Sequence, residues 1–177
     1  DYLQSQGRLV IHDTRADVLK ATAREVIKNM QREVGGQKLS ALAMAETKAE
    51  TYLVNKEARE LAREAGMVTG EDAKLSAERT FAAGDRVYFL QNNEQLGVEN
   101  GTLGTVEKAE DGKLSVILDE GGGRVEFSQE QYQHVDWGYC ATVYKTQGDT
   151  ADNSSWCPNS MADAELGYVA LSRHRDT

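Results

Sequence analysis

The chain has 177 residues, of which 40% are hydrophobic and 28% charged, with a formal net charge of −9. That suffices for one ordinary globular domain, or one domain carrying a small insert, and it excludes a disordered or fibrous chain. No apolar run reaches the roughly 20 residues that span a bilayer, and no charged-then-apolar leader opens the sequence.

The chain opens on "DYLQSQGRLV" without an initiator methionine, and we expect a piece of a longer protein. "GRLVIHD" (7–13) reads as a strand, with Asp13 or Thr14 as the cap of the following helix. From Ala16 to Val34, apolar side chains at Leu19, Ala23, Val26, Ile27, Met30 and Val34 trace one helical face, which "VGG" ends. "KLSALAMA" (38–45) reads as a strand, and 46–66 as a second helix with Gly66 suited to a left-handed C-terminal cap. This β-α-β-α order favours a parallel sheet covered by helices.

The pattern changes at Phe81. "GDRVYFLQN", "GTLGTVEKA", "GKLSVILDE" and "GRVEFSQEQ" are short strand-like runs, parted by Asn100-Gly101, Asp111-Gly112 and the triple glycine 121–123. Such runs with no helix between them predict a small antiparallel barrel. Tyr88, Phe89 and Phe127 are its expected core. The α/β pattern then returns: "WGYCATVY" (137–144) suits a buried parallel strand, "SSWCP" (154–158) another, and 161–175 a final helix with Asp163 as its cap. The crossing points between the two parts fall at Ala82–Ala83 and Val135–Asp136.

The acidity is local. Residues 1–80 carry 13 basic and 13 acidic side chains, 81–136 carry 4 and 11, and 137–177 carry 3 and 5. This charge distribution leaves room for a strand-binding surface on the flanks and argues against a general polyanion-binding role for the middle. Cys140 and Cys157 lie in apolar runs and read as buried reduced thiols. His12, His134 and His174 are scattered, so no metal site is expected.

Two stretches carry chemistry. "GYCATVYKTQG" (138–148) ends an apolar run in a hydroxyl, an aromatic, a lysine and a Gln-Gly pair, and "YVALSRHR" (168–175) follows about 20 residues on. Together they resemble motifs V and VI of superfamily 1 helicases of the RecD-like branch, which includes the TraI/TraA/TrwC-type conjugative relaxases. Residues 81–106, opening with Gly-Asp-Arg-Val and including Leu-Gly-Val-x-Asn-Gly-x-x-Gly-x-Val, resemble the insert of TraA-type relaxase–helicases. The resemblance is strong over 81–175 and looser over 38–66.

It implies the α/β RecA-like fold of a second motor domain in the P-loop NTPase class. Residues 1–80 and 136–177 form its two parts, and a Src-homology-3-like β-barrel, 81–135, is inserted between them. It also implies an ATP-dependent translocase on single-stranded DNA, moving 5′→3′ in plasmid transfer within the bacterial cytoplasm. ATP and Mg would be held mainly by a first motor domain, which together with a relaxase domain is the expected partner in the same polypeptide. No G-x-x-x-x-G-K-[ST] phosphate loop occurs in these residues, so the chain alone is expected to bind no cofactor and to be inactive.

By the motif match Arg173 is the cation that meets the γ-phosphate, since a guanidinium is permanently charged and its fork fits phosphate oxygens. Read by itself it is a helix-end arginine, and Arg175 is the weaker choice. Gln147 and Gly148 would approach the nucleotide, while Thr142, Tyr144 and Lys145 would touch DNA. Relatives often have His where Tyr144 stands and Glu where Thr150 stands. Asn55 reads as structural, and Glu99 replaces a basic residue common in relatives. Two alternatives are a degenerate helicase-fold module for strand binding or protein docking, and a RecD-like repair helicase.

Overall fold

The computed structural model describes residues 14–38, 40–76, 78–142 and the backbone of 153–157. The predicted strand 7–13 and the helix 161–175 with its Asp163 cap lie outside them. Helix α1 (Arg15–Met30) starts at Thr14, whose side chain accepts from the Asp17 amide; of the two proposed caps this is the one in place. It buries Leu19, Ala23, Val26, Ile27 and Met30. Val34 does not continue that face: the helix stops at Met30, and Glu33–Val34 (β1) pairs with Gln37–Lys38 (β2) across Gly35-Gly36, leaving Val34 59% exposed. Two consecutive glycines favour that reversal over another helical turn.

Strand β3 (Ala41–Ala45) is buried along its whole length. Helix α2 (Lys48–Glu64) opens with a capping box, in which Thr47 accepts from the Glu50 amide and Glu50 from the Thr47 amide. Arg15 pairs with that same Glu50 and ties the starts of the two helices together. Gly66, at φ +73°, takes the left-handed conformation just past the helix.

An antiparallel unit follows. β4 (Thr69–Lys74) pairs with β5 (Thr80–Ala83). β6 (Arg86–Phe89), β7 (Leu103–Glu110), β8 (Lys113–Leu118), β9 (Arg124–Ser128) and β10 (Val135–Trp137) form a five-stranded sheet in the order β10-β6-β7-β8-β9. β5 packs on β7. Strand β4 is absent from the pattern reading because only Ala73 of its six residues is buried. The Asp111-Gly112 turn joins β7 to β8 directly, whereas Asn100-Gly101 closes the longer loop 90–102, with the Gly101 amide donating to Phe89. Phe89 and Phe127 pack with Tyr132 as the core of this unit. Tyr88 points the other way and buries against Leu42, Leu103 and Ala141.

The apolar run 137–144 is not one strand. Trp137 ends β10, and β11 (Cys140–Thr142) pairs in parallel with β3. The chain therefore changes sheets at Gly138–Tyr139, later than Val135–Asp136. β12 (Asn153–Cys157) is also parallel to β3, giving a three-stranded sheet in the order β11-β3-β12. α1 packs on β3 and β12, and α2 on β3 and β11. Hydropathy cannot mark the change of sheet, because Trp137, Gly138, Tyr139 and Cys140 are all buried. Gly138 permits it: a Cβ there would lie 2.6 Å from the Val87 backbone.

Candidate strand and nucleotide interface

Thr142, half-buried, is the last described residue of β11 and is in register with Ala45 at the end of β3. In an open α/β sheet, ligands gather beyond the carboxyl ends of the parallel strands, and here that edge opens into a cleft of about 260 Å³. Lys48, Thr51, Tyr52 and Asn55 of α2 form one wall. Arg79, Tyr88, Asp136 and Trp137 of the antiparallel unit form another, and Cys140, Ala141 and Thr142 close it.

What sets β11 at this edge is Asn55, which is 2% exposed. Its Oδ1 accepts from the Tyr139 amide at 3.0 Å and the Cys140 amide at 2.9 Å, and its Nδ2 donates to the Cys140 carbonyl at 2.8 Å. Strand-end backbone that leaves one sheet for another loses its ladder partners, and a single side-chain amide supplies three. Asn55 is thus structural in a specific sense, because it holds the start of the strand that carries Thr142.

Behind Asn55 lies a buried charge network. The Asp85 side chain is fully enclosed, and accepts from Arg59 Nε at 2.9 Å, Arg59 Nη2 at 2.8 Å, the Ala82 amide at 2.8 Å and the Tyr139 hydroxyl at 2.8 Å. Burial, and then the Asp85 charge, push the Tyr139 hydroxyl far above its ordinary value. Burial opposes the Arg59 charge, but Asp85 and Asp72 outweigh it and hold the guanidinium protonated more firmly than usual. The Gly-Asp-Arg-Val stretch is explained by this network together with Gly84. At φ +93°, a Cβ on Gly84 would fall 1.9 Å from the Met67 carbonyl oxygen.

The network reaches the cleft through aromatic rings. The Arg59 guanidinium lies 5.4 Å from the Trp137 ring centre, and Arg79 lies 5.0 Å from Trp137 and 5.1 Å from Tyr52. The Tyr52 and Trp137 rings are near-parallel, 25° apart in plane and 6.2 Å between centres. Trp137 Nε1 donates to the Thr80 carbonyl at 2.9 Å, and Arg79 Nε to Asp136 at 2.6 Å.

Of the residues assigned from sequence, Thr142 lies in this cleft, and Tyr144, Lys145, Gln147, Gly148 and Arg173 lie outside the described residues. Among the described residues there is no G-x-x-x-x-G-K-[ST] stretch and no cluster of three His, Cys, Asp or Glu side chains. Among them, no helix is long and apolar enough to cross a membrane. Sequence reasoning missed Lys48, Tyr52, Arg79 and Trp137, which come from three separated segments.

No family model matches the chain. It is 36% identical over 145 residues to a conjugal transfer protein TraA of Rhizobium radiobacter, spanning 79% of this chain and 13% of that protein. It is 35% identical over 164 residues to the TraA of Agrobacterium fabrum, spanning 89% of this chain and 15% of the relative. An ATP-dependent RecD2 DNA helicase of Deinococcus radiodurans is 34% identical over 116 residues, covering 60% of this chain and 15% of that protein. The chain thus spans about one seventh of these relatives' length. Among solved structures, the Pif1 helicase from Bacteroides in complex with ADP-AlF3 and ssDNA superposes with a TM-score of 0.58 at 18% identity, over 93% of this chain and 47% of that one. The Candida albicans Pif1 helicase superposes at 0.54 and 14%, over 91% of this chain and 50% of that one. These likenesses establish the RecA-like helicase fold with its parallel sheet.

Proposed function

Starting from a chain related to superfamily 1 helicases and to the TraA-type relaxase–helicases, we propose that it is the second motor domain of an ATP-dependent single-stranded-DNA translocase that serves conjugative plasmid transfer. The observation that carries this reading is the position of Thr142. It lies on a parallel strand, level with the end of β3 at the carboxyl edge of a RecA-like sheet, in a cleft lined by cations, hydroxyls and aromatic rings. Hydroxyls and cations suit phosphates, and aromatic faces suit unpaired bases.

Transfer is favoured over repair because the TraA similarity spans 79% or more of the chain, against 60% for RecD2. The motor domain is in two parts, read from sequence as 1–80 and 136–177, and a Src-homology-3-like barrel, read as 81–135, is inserted between them. The order of the antiparallel strands and the packing of β5 on β7 support a barrel, whose edges extend to β4 and Trp137.

Thr142, Tyr144 and Lys145 contact the strand. Gln147 and Gly148 face the nucleotide, and Arg173 is the cation offered to its γ-phosphate. ATP with Mg supplies the energy of translocation when bound, largely by a first motor domain. That domain, and a relaxase domain of the same polypeptide, are the partners in the bacterial cytoplasm.

Two measurements test the proposal. The purified 177 residues should hydrolyse no ATP above background, and robust Arg173-dependent turnover by them alone overturns the division of labour. The coding DNA upstream of Asp1 should contain G-x-x-x-x-G-K-[ST] in frame. A frame without that loop would leave a strand-binding or docking module.

A further inference from the structure

Among the described residues, Tyr52 is one of the few large apolar side chains left exposed, at 41%, and it sits on the second turn of α2 and lines the cleft. It lies on the face of α2 turned away from the buried Val54, Ala58 and Ala62, and among the described residues its ring packs on Trp137 and Arg79. Behind it the rings and guanidinia form a ladder. Arg59 lies against Trp137, Trp137 is near-parallel to Tyr52, and Arg79 touches both rings. Every inner member is tied down: Trp137 by its bond to Thr80, Arg59 by Asp85, and Arg79 by Asp136. The outer rung is therefore a flat surface held on a rigid support.

We propose that the Tyr52–Arg79–Trp137 ladder is a stacking shelf for an unpaired nucleobase of the single strand, with Lys48 and Thr142 flanking it toward the phosphates. This rests on the strand-binding reading above and adds to it a site for the base itself. Three features decide the ligand class. The Arg79 charge is balanced by Asp136, so the ladder offers π-faces more than net charge and suits a base better than a phosphate. Lys48 is exposed at the cleft mouth and makes no ion pair among the described residues, leaving one cation for one phosphate. The volume of about 260 Å³ is below the roughly 300–1,000 Å³ that encloses drug-sized ligands. It has room for about one ring and its sugar. Stacking is tolerant of base identity, as a translocase requires.

The test compares binding of a short oligothymidylate with an abasic strand of equal length, by fluorescence anisotropy at fixed salt. The proteins are wild type, Tyr52→Ala and Tyr52→Phe. Tyr52 is exposed, so its substitution spares the core, and matched circular dichroism spectra check this. Stacking predicts that wild type prefers the base-bearing strand by roughly 5- to 150-fold, the range of one stacked base. Tyr52→Ala should abolish the preference, and Tyr52→Phe should keep it. If wild type binds both strands equally, or Tyr52→Ala retains the preference, the shelf is refuted while strand binding stands. If wild type binds neither strand, both the shelf and the strand-binding reading fall.

Discussion

Replacing Asp85 by asparagine keeps the shape of the side chain and removes its charge. Four donors converge on that carboxylate: Arg59 Nε, Arg59 Nη2, the Ala82 amide and the Tyr139 hydroxyl. An asparagine oxygen can accept from two of them at most, while its NH₂ faces the others. Two buried donors are then unsatisfied, at about 1–3 kcal/mol each. The sum, about 2–6 kcal/mol, brackets the roughly 3–5 kcal/mol measured when one partner of a buried ion pair is removed. Domain stabilities run to only about 5–15 kcal/mol, so the variant should be visibly crippled. Urea unfolding followed by circular dichroism measures the loss. Adding Tyr139→Phe to Asp85→Asn should cost less than the two single changes together, because the phenylalanine brings no donor. A loss for Asp85→Asn below about 1 kcal/mol, or strict additivity, refutes the network.

Asn55→Ala should cost about 2–4 kcal/mol by urea unfolding, since the Tyr139 and Cys140 amides and the Cys140 carbonyl lose their partner; a loss within about 0.5 kcal/mol contradicts its role as the anchor of β11. Because the folded-state value of Tyr139 is raised, its contribution is complete below the unfolded value of about 10 and fades as pH rises above it. Thermal midpoints should therefore fall from pH 9 to 11, and less steeply in Tyr139→Phe. Asp72 moves the opposite way: its hydrogen bond from Arg59 holds the carboxyl below its ordinary value, so its contribution is present above about pH 4 and is lost as pH falls through the folded-state value. Asp72→Asn should flatten the acid limb of the stability curve, and an unchanged limb counts against the pairing.

Much of the frame is legible because it rests on local rules. The apolar spacing of α1, the Gly66 end of α2 and the turn at Asp111-Gly112 each act within a few residues. What escapes is what depends on distant partners. β4 is polar by composition and is a strand only because β5 lies beside it. The change of sheet at Gly138 is hidden in a continuous apolar run, and Asn55 makes its three bonds to residues more than 80 positions away. The cleft is the clearest case. Tyr52, Arg79 and Trp137 share no motif and come from three separated segments. Thr142, singled out by its motif, lies at the edge of that cleft.

The most direct measurement of the central claim is single-strand-stimulated ATP hydrolysis by the full polypeptide that carries this chain, wild type against Arg173→Ala. A second motor domain predicts a fall of roughly 10³–10⁵ in rate with nucleotide binding retained. A variant that hydrolyses ATP at the wild-type rate contradicts it.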